Sequence, residues 1–375
     1  MPPEPLDLSA VEIAEDGPAC RVEGLDADRY RVRGEVRVGL DPEGVVVDAS
    51  AELAYVACSR SNAVAVVDLE RLETLEMIPV GTEPIDIAID TVTNRLFTAD
   101  ARSDQVSVID AESRQVIGTV AVGVYPSGLE IDEAGRRLYC GDTMGCTVSI
   151  VDLDRLECLA TVPAELGAGA IALDRERRRG FCANFVTSTV TAFDLDQNEV
   201  LATTPTGEGP CSVAVDRHSG DVFVVNCLAG SVVRIDPRRG EPTDELGGLN
   251  APVGMTMGPR SDRLYVTNRG DGTLSVLGLD GLEWARIPVG TAPGGVCVHP
   301  RDETVVLVAN AGSGSLTVID LNLAGPPAEV VAQLNHPLVG TKMPEFSLYD
   351  VASGQELHSR QWSEKRYILN FFASW

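Results

Sequence analysis

Cationic residues are scarce in this sequence of 375 residues, in which 30 Lys and Arg stand against 56 Asp and Glu, a net charge of −26. Nucleic-acid binding requires clustered cations, so this composition argues against nucleic acid as a partner. The one basic run, RERRR at residues 175–179, is interpreted as a solvated loop, because a single cationic patch on so acidic a chain attracts few polyanions.

Long apolar runs are also missing. No stretch of about 18 apolar residues occurs, so the sequence predicts no membrane span. The N-terminus, MPPEPLDLSAVEIAEDGPAC, lacks both a basic region and a long apolar region and does not resemble a signal peptide. The N-terminus alone therefore predicts a cytoplasmic protein.

Cysteine and histidine occur without the spacings that mark metal or redox centres. The nine cysteines include no C-x-x-C pair, so we expect most of them to be small buried hydrophobic residues. A disulfide between Cys140 and Cys146, which flank the hairpin tip GDTMG, is the alternative for that pair. The four histidines form no cluster, and His299, in a turn, is expected at the surface. The sequence thus predicts no catalytic residue, no metal site and no cofactor.

A repeat of 42 residues organises most of the chain. Short apolar segments end in a polar or small residue at one fixed spacing: Cys58, Asp100, Asp142, Asn184, Asn226, Asn268 and Asn310. A second series keeps the same spacing: Asp68, Asp110, Asp152, Asp194, Asp236, Gly278 and Asp320. Two independent markers over seven copies establish seven structural repeats.

Each repeat reads as four short antiparallel strands. In the second copy IDIAID, RLFTAD, QVSVID and QVIGTVAVG are separated by turn segments, with no helical periodicity. Four-stranded units of about 40 residues arranged radially are the blades of a β-propeller. The predicted fold is therefore all-β, a seven-bladed propeller over residues 20–334 that follows an N-terminal extension over residues 1–19.

Closure of the ring has two candidates. Residues 25–39 lie one period before residues 67–81, and Asp26 matches Asp68. This match predicts that residues 30–38 form the outer strand of the blade whose inner strands come from residues 295–320. Residues 328–334, AEVVAQL, are the rival for the same position.

The repeat resembles the YVTN family of β-propeller repeats, through LYVTN at residues 264–268, the V-x-V-I-D strands and the V-G-x-x-P connections. The resemblance covers roughly residues 20–334. It implies the fold but leaves the function open, because related propellers include surface proteins, lactonases and dehydrogenases.

Propeller topology brings the second-strand markers to one face, the face with the loop before each inner strand. The functional interpretation is a polar funnel that binds a cation or a small polar ligand, formed by Asp100, Asp142, Asn184, Asn226, Asn268 and Asn310. The structural interpretation, favoured because the pattern recurs in nearly every blade, is that each side chain hydrogen-bonds its own turn. The Asp68 series is expected to cap the turn into the outer strand.

Residues 335–375 follow a different pattern. A strand, a turn and a second strand are expected around residues 344–356, and YILNFFA at residues 367–373 reads as a buried strand. This segment resembles the start of a redoxin domain of the thioredoxin fold, of the TlpA/ResA type, through Gly340, Pro344, Phe346 and Leu348 and the terminal NFFASW. In that family a C-x-x-C follows directly, whereas this sequence ends at Trp375. As written, the chain is therefore expected to lack redox activity of the redoxin type, and the resemblance leaves the cell envelope open as a location.

Three hypotheses for function follow. The first is a monomeric propeller that binds a protein or a small polar ligand at its face, fused to a truncated thiol–disulfide oxidoreductase domain. The second is a lactonase-like hydrolase acting from the funnel face through Asp100 and Asp142. The third is a surface or structural propeller without a small-molecule site.

Overall fold

A computed structural model describes residues 29–323, except 259 and 261, together with residues 347–349 and 356–358. The chain divides into two compact units, Met1–Gly325 and Pro326–Trp375. The two units are described separately.

Six blades of the first unit are four-stranded antiparallel sheets of consecutive strands. Blades 1 and 2 consist of β2 (Pro42–Asp48), β3 (Leu53–Cys58), β4 (Ala63–Asp68) and β5 (Glu73–Pro79), then β6 (Pro84–Asp90), β7 (Arg95–Asp100), β8 (Gln105–Asp110) and β9 (Gln115–Ala121). Blades 3 and 4 consist of β10 (Pro126–Asp132), β11 (Arg137–Asp142), β12 (Thr147–Asp152) and β13 (Glu157–Pro163), then β14 (Ala168–Asp174), β15 (Arg179–Asn184), β16 (Thr189–Asp194) and β17 (Val200–Pro205). Blades 5 and 6 consist of β18 (Pro210–Val215), β19 (Val222–Asn226), β20 (Ser231–Asp236) and β21 (Glu241–Leu246), then β22 (Pro252–Met257), β23 (Arg263–Asn268), β24 (Thr273–Gly278) and β25 (Glu283–Pro288).

Blade 7 joins the two ends of the propeller in one sheet. Its three inner strands are β26 (Pro293–Val298), β27 (Val305–Asn310) and β28 (Ser315–Leu321), and its outer strand is β1 (Tyr30–Arg37). β1 pairs antiparallel with β28, with Tyr30 opposite Leu321 and Arg37 opposite Ser315. The N-terminal candidate thus occupies the closing position, and the rival segment 328–334 lies outside the described residues.

The cores lie between neighbouring blades. The second and third strands of each blade are buried along nearly their whole length, because a sheet packs on both of their faces. Phe97 and Val108 of blade 2, for example, pack with Leu129 and Cys140 of blade 3. Two 3-10 turns, Ser59–Ser61 and Ala101–Ser103, are the helical segments of the described part. The seven-bladed, all-β prediction is therefore confirmed, and each blade depends on its neighbours for burial.

Five aspartates of the second marker series, Asp68, Asp110, Asp152, Asp194 and Asp236, cap turns as the sequence predicted, whereas Asp320 accepts from Arg33 instead. Asp68 Oδ1 accepts hydrogen bonds from the backbone N–H groups of Glu70 and Arg71, at 2.9 and 2.8 Å. Asp152 does the same for the next two turn residues of blade 3. These bonds satisfy turn donors that the adjoining strands leave free.

The basic run at residues 175–179 is paired with carboxylates. Arg178 bridges Asp132, whose side chain is fully buried, and Asp196, at 2.6 and 2.8 Å. Arg177 pairs with Asp174 at 3.1 Å, and Arg175 pairs with Glu130. The interpretation as a merely solvated loop was therefore incomplete, because Arg175 and Arg178 tie blade 4 to blade 3.

The structure tests two predictions about single side chains, the alternative of a disulfide between Cys140 and Cys146 and the exposure of His299. Cys140 and Cys146 are both free thiols, since Cys140 faces Ser149 across β11 and β12 and Cys146 lies beyond the paired residues. The surface placement of His299 was wrong. Its side chain is buried, and its Nδ1 accepts hydrogen bonds from the N–H groups of Arg301 and Asp302, so that it caps its own turn as the aspartates cap theirs.

The second unit contains one described hairpin, β29 (Ser347–Tyr349) and β30 (Glu356–His358), paired antiparallel with Leu348 opposite Leu357. This hairpin lies where the sequence predicted a strand, a turn and a strand. The remaining redoxin-like positions, which include Gly340, Pro344, Phe346 and the terminal strand at 367–373, lie outside the described residues, as does the extension over residues 1–19.

Candidate functional site

The six funnel residues of the sequence prediction lie at the ends of the second strands and are fully buried: Asp100, Asp142, Asn184, Asn226, Asn268 and Asn310. Asn268 Nδ2 donates to Thr273 and Ser275, and Asn310 Nδ2 donates to Ser315 and Thr317, at 2.8 to 3.2 Å. These bonds fasten the start of the third strand to the end of the second. Five of the six side chains thus have a role in their own hairpin, whereas Asn226 Nδ2 donates to the carbonyl of Val224 in its own strand and Asn226 Oδ1 accepts from Thr206.

The two aspartates of this set make the corresponding hydrogen bonds in the opposite direction: their carboxylates accept from hydroxyl groups, whereas the asparagine amides donate to them. Asp142 accepts from the hydroxyls of Thr147 and Ser149, both at 2.8 Å. Asp100 accepts from Thr98 and Ser107 at 2.8 and 2.5 Å, and from the N–H of Gly81 at 3.2 Å. Burial raises the pKa of both carboxyl groups, while these hydrogen bonds act to lower it. A lactone has no direct access to either group, which removes the geometric basis of the hydrolase hypothesis.

Ligand binding by this ring stays a prediction. Among the described residues, one buried side-chain oxygen of Asp142, of Asn268 and of Asn310 has no hydrogen-bond partner. Within the same part of the chain, no group of three or more His, Cys, Asp or Glu side chains is placed to hold a metal ion. Nor does that part contain a helix long and apolar enough to cross a membrane.

The inner strands of the seven blades surround a central cavity of about 800 Å³. The third position of these strands carries small residues in six of the seven blades: Gly44, Gly128, Ala170, Ser212, Gly254 and Gly295. A Cβ built on Gly254 would lie 2.2 Å from the carbonyl oxygen of Gly294, and one on Gly295 would lie 2.2 Å from that of Glu43. Close approach of neighbouring inner strands therefore requires small residues here, and the cavity lies inside that ring.

Three carboxylates from blades 1 to 3 line one side of the cavity. Glu43 pairs with Arg269 at 3.3 Å, and Glu130 pairs with Arg175. Burial raises the pKa of Glu43 and of Glu130 against the lowering effect of these arginines. Asp86 is held instead by backbone N–H groups, those of Ile87 at 2.8 Å and Leu129 at 2.9 Å, and its burial raises its pKa to about 6.

Replacement of Asp86 by Asn is expected to change the pH dependence of stability. The unfolded carboxyl ionises near its usual value of about 3.9, whereas the folded one stays protonated up to about pH 6, so the wild type loses stability as the pH rises between these values. Asn does not titrate. Urea unfolding should therefore show Asp86→Asn gaining about 2 kcal/mol relative to the wild type between pH 4 and pH 7.5.

The exposed Asp244, whose side chain is 64% accessible, supplies the matched control for this measurement. Asp244→Asn should show no comparable change relative to the wild type over the same range. A difference between Asp86→Asn and the wild type that does not vary with pH would contradict the assignment of a raised pKa to Asp86.

Exposed apolar side chains gather on the loops of one face, the face that carries the loop before each inner strand and the loop after each second strand. We call this set the apolar loop patch; its members, between 40% and 67% exposed, are Val124, Met144, Leu166, Phe185, Val186 and Leu228. They come from three consecutive blades, 3, 4 and 5.

Backbone hydrogen bonds hold the loops of this patch against each other. The N–H of Met144 donates to the carbonyl of Val124, and the N–H of Val186 donates to that of Leu166, both at 3.1 Å. Gly167 permits the second contact, because its φ is +86° and a Cβ there would lie 2.7 Å from the nitrogen of Val186. The apolar side chains are thus presented by a fixed backbone.

The corresponding loop positions of the other blades do not continue the patch. The pair that corresponds to Val124 and Met144 is Thr82 and Arg102 in blade 2, Asn250 and Gly270 in blade 6, and Thr291 and Gly312 in blade 7. Blade 1 has the exposed Leu40 beside Arg60. The patch therefore breaks the sevenfold pattern, which a structural requirement of the repeat would not do.

This patch was not predicted from the sequence, although the aligned repeats contain a pattern that indicates it. The residue two places after each marker reads Arg60, Arg102, Met144, Val186, Leu228, Gly270 and Gly312. Alignment of the repeats shows three successive large apolar residues at a loop position. The residues that recur define the repeat, whereas the patch lies at a position where the repeats differ.

Comparison with known proteins supports the fold. A family model, the Choice-of-anchor I domain, matches residues 19–96, which include β1 and blade 1. Hydrazine synthase from Kuenenia stuttgartiensis has a similar structure, with a TM-score of 0.69 and 20% identity over 76% of this chain and 96% of that chain. No curated protein sequence matches the chain. At this identity the structural likeness shows the fold alone, and this chain contains a seven-bladed β-propeller domain.

Proposed function

We propose that the propeller is a protein-interaction module whose partner docks on the apolar loop patch. The observation that carries the proposal is the occurrence of large exposed apolar side chains on the face loops of three consecutive blades, 3, 4 and 5, at positions where blades 2, 6 and 7 have polar residues, glycine or arginine. Exposed apolar groups that are adjacent on a soluble domain mark interaction sites more often than isolated ones do.

The charges beside the patch indicate the chemistry of the partner. Glu165 precedes Leu166 and is exposed, and the exposed Glu208 occupies in blade 5 the position that Leu166 has in blade 4; its carbonyl accepts from the N–H of Ala229 at 3.2 Å. The whole chain carries a net charge of −26. The expected partner therefore presents apolar side chains flanked by Lys or Arg, and the opposite charges accelerate and orient the encounter.

Replacement of three patch residues tests the proposal. Met144, Val186 and Leu228 are each between 64% and 67% exposed, so Met144→Ser/Val186→Ser/Leu228→Ser should fold normally. Proteins captured from an extract of the native host by the wild type and lost by this variant are purified and titrated by calorimetry. We expect the dissociation constant of a true partner to rise about 100-fold, since buried apolar anchors supply most of the energy of such interfaces.

The matched control replaces apolar residues that lie outside the patch. Val92, Ile117 and Val200 are between 42% and 65% exposed, and Val92→Ser/Ile117→Ser/Val200→Ser should bind the purified partner like the wild type. Equal binding by the patch variant would overturn the proposal. So would a concentration-dependent dimer in sedimentation that the patch variant abolishes, because the patch would then join two copies of this chain rather than bind a different protein.

A second proposal concerns the tail, where the sequence resembles a redoxin start. It is supported by the motif at residues 370–375 and by the hairpin of β29 and β30 at the expected place. In that arrangement the propeller, of the YVTN type, selects the substrate of an attached thiol–disulfide oxidoreductase domain. The coding sequence beyond codon 375 tests this: a Cys-x-x-Cys immediately downstream supports it, and any other continuation contradicts it.

A further inference from the structure

Two thiols meet on blade 5 although 16 positions separate them in the sequence. Cys211 follows Pro210 in the inner strand β18, and Cys227 follows Asn226 at the end of β19; Pro210 and Asn226 are paired across these strands. The N–H of Cys227 donates to the carbonyl of Gly209 at 2.9 Å. Cys211 Sγ donates to the carbonyl oxygens of Val253 and Val225, at 3.3 and 3.7 Å, and the Cys227 thiol is close enough to shift its pKa; both residues are partly exposed.

The repeat supplies an independent measure of how close these positions are. In blade 3 the corresponding residues are Ser127 and Thr143, whose hydroxyl oxygens lie 2.6 Å apart. The backbone pairing is the same in both blades, including the bulge after the first proline. A disulfide requires its two side chains to meet at their γ atoms, and this backbone pairing places the γ atoms of the two positions in contact.

Thiols occupy both positions in blade 5, in contrast to the other blades. The corresponding pairs are Glu43 with Ser59, Ile85 with Ala101, Ser127 with Thr143, Gly169 with Phe185, Val253 with Arg269, and Gly294 with Ala311. The search for C-x-x-C could not find this pair, because the hairpin and not the local sequence brings the two cysteines together.

We propose that Cys211 and Cys227 form a dithiol site that hydrogen peroxide oxidises to a disulfide between β18 and the residue that follows β19. Cys227 is the attacking thiolate and Cys211 is the resolving thiol. The assignment follows from their surroundings. The contact with Cys211 lowers the pKa of Cys227, whereas the same contact and burial raise the pKa of Cys211, whose Sγ also donates to the carbonyl of Val253 at 3.3 Å.

Other thiols of the propeller lack these features. Burial raises the pKa of Cys58, Cys182 and Cys297 to about 12, so these thiols stay protonated near neutral pH. A thiolate is the reactive form of cysteine, and only an accessible one meets peroxide. Cys227 therefore combines partial exposure with a lowered pKa and a thiol neighbour.

The reaction balances in two steps. The Cys227 thiolate attacks one peroxide oxygen; the O–O bond breaks, hydroxide leaves and takes a proton to form water, and Cys227 becomes a sulfenic acid. The Cys211 sulfur then attacks the Cys227 sulfur; the S–O bond breaks, a second water leaves with the thiol proton, and the disulfide forms. Each cysteine loses one electron overall, and one peroxide is reduced to two waters.

Peptide mapping of the full chain tests the proposal. Reduced protein is treated with one equivalent of peroxide, alkylated, and digested with trypsin and a glutamate-specific protease. These enzymes yield residues 209–217 and 218–234 as separate peptides with one cysteine each. We expect the two peptides to be disulfide-linked, the nine thiols to fall by two, and a reducing agent to restore them. In Cys211→Ser, Cys227 should accumulate as a sulfenic acid that dimedone traps.

Two further measurements test the proposed dithiol site. The exposed Cys158 is the internal reference, and it should be oxidised at least 10-fold more slowly than Cys227. Ser127→Cys/Thr143→Cys, which places the same pair on blade 3, should form a second disulfide under the same treatment. The proposal is overturned if wild-type Cys227 proceeds to a sulfinic acid unlinked, or if it is linked to a cysteine other than Cys211.

Discussion

Val36→Asp is expected to open the propeller. Val36 lies in β1 opposite Leu316, is 4% exposed, and packs in the core between blades 7 and 1 with Leu316, Val318 and Val56. A carboxylate at this position has no partner in that core, and its burial costs about 4 kcal/mol. For a domain of this size the thermal midpoint should fall by about 10 °C, measured by calorimetry or circular dichroism.

The consequence extends beyond one core residue because β1 and β28 join opposite ends of the propeller. When β1 leaves, the edge of β28 is exposed along its whole length, and an exposed edge strand pairs readily with another chain. We therefore also expect Val36→Asp to form oligomers in sedimentation at concentrations where the wild type does not.

Val32→Asp is the matched control, since Val32 lies in the same strand but is 42% exposed. Its carboxylate stays in water, and the free energy of unfolding should change by about 1 kcal/mol or less. If the two variants have the same stability, closure by β1 does not hold the ring together.

The sequence was sufficient for those features that repeat. Two markers at a spacing of 42 residues predicted seven blades, and the match of Asp26 with Asp68 led to the strand at 30–38. Each strand alternates or continues its apolar pattern as its place in the sheet requires, so local pattern and global fold agree. The role of the second marker series could also be predicted, because an aspartate at a turn readily accepts hydrogen bonds from the turn N–H groups.

What the sequence analysis missed depends on contacts between elements. His299 caps a turn from a buried position, where blades 1 to 5 use aspartate, and its expected exposure was inferred from turn position alone. Cys211 and Cys227 meet only after β18 and β19 pair. The apolar loop patch arises from adjacent loops of three blades, whose separation in the sequence hides their proximity. These features become visible when the repeats are aligned and their differences are compared.

Gly141→Ala should destabilise the junction between blades 3 and 4 by about 3 kcal/mol or more. Gly141 in β11 is paired with Gly128 in β10, and both face the backbone of Gly169 in β14. A Cβ on Gly141 would lie 2.0 Å from the Gly169 carbonyl oxygen, and a backbone atom in a paired strand cannot rotate away as a side chain would. One of the two sheets must move, and overpacking of this kind is costly.

Gly118 in β9 provides the comparison for the same substitution in an ordinary strand environment. The nearest atom to its Cβ position is 3.8 Å away, so Gly118→Ala has room and reduces the freedom of the unfolded chain. Urea unfolding should therefore show Gly118→Ala within about 0.5 kcal/mol of the wild type, or slightly more stable. Equal midpoints for the two variants would mean that the approach of Gly169 to Gly141 is not a constraint. A large loss for Gly141→Ala alone would show that the close contact between the sheets of blades 3 and 4, rather than strand propensity, requires glycine at this position.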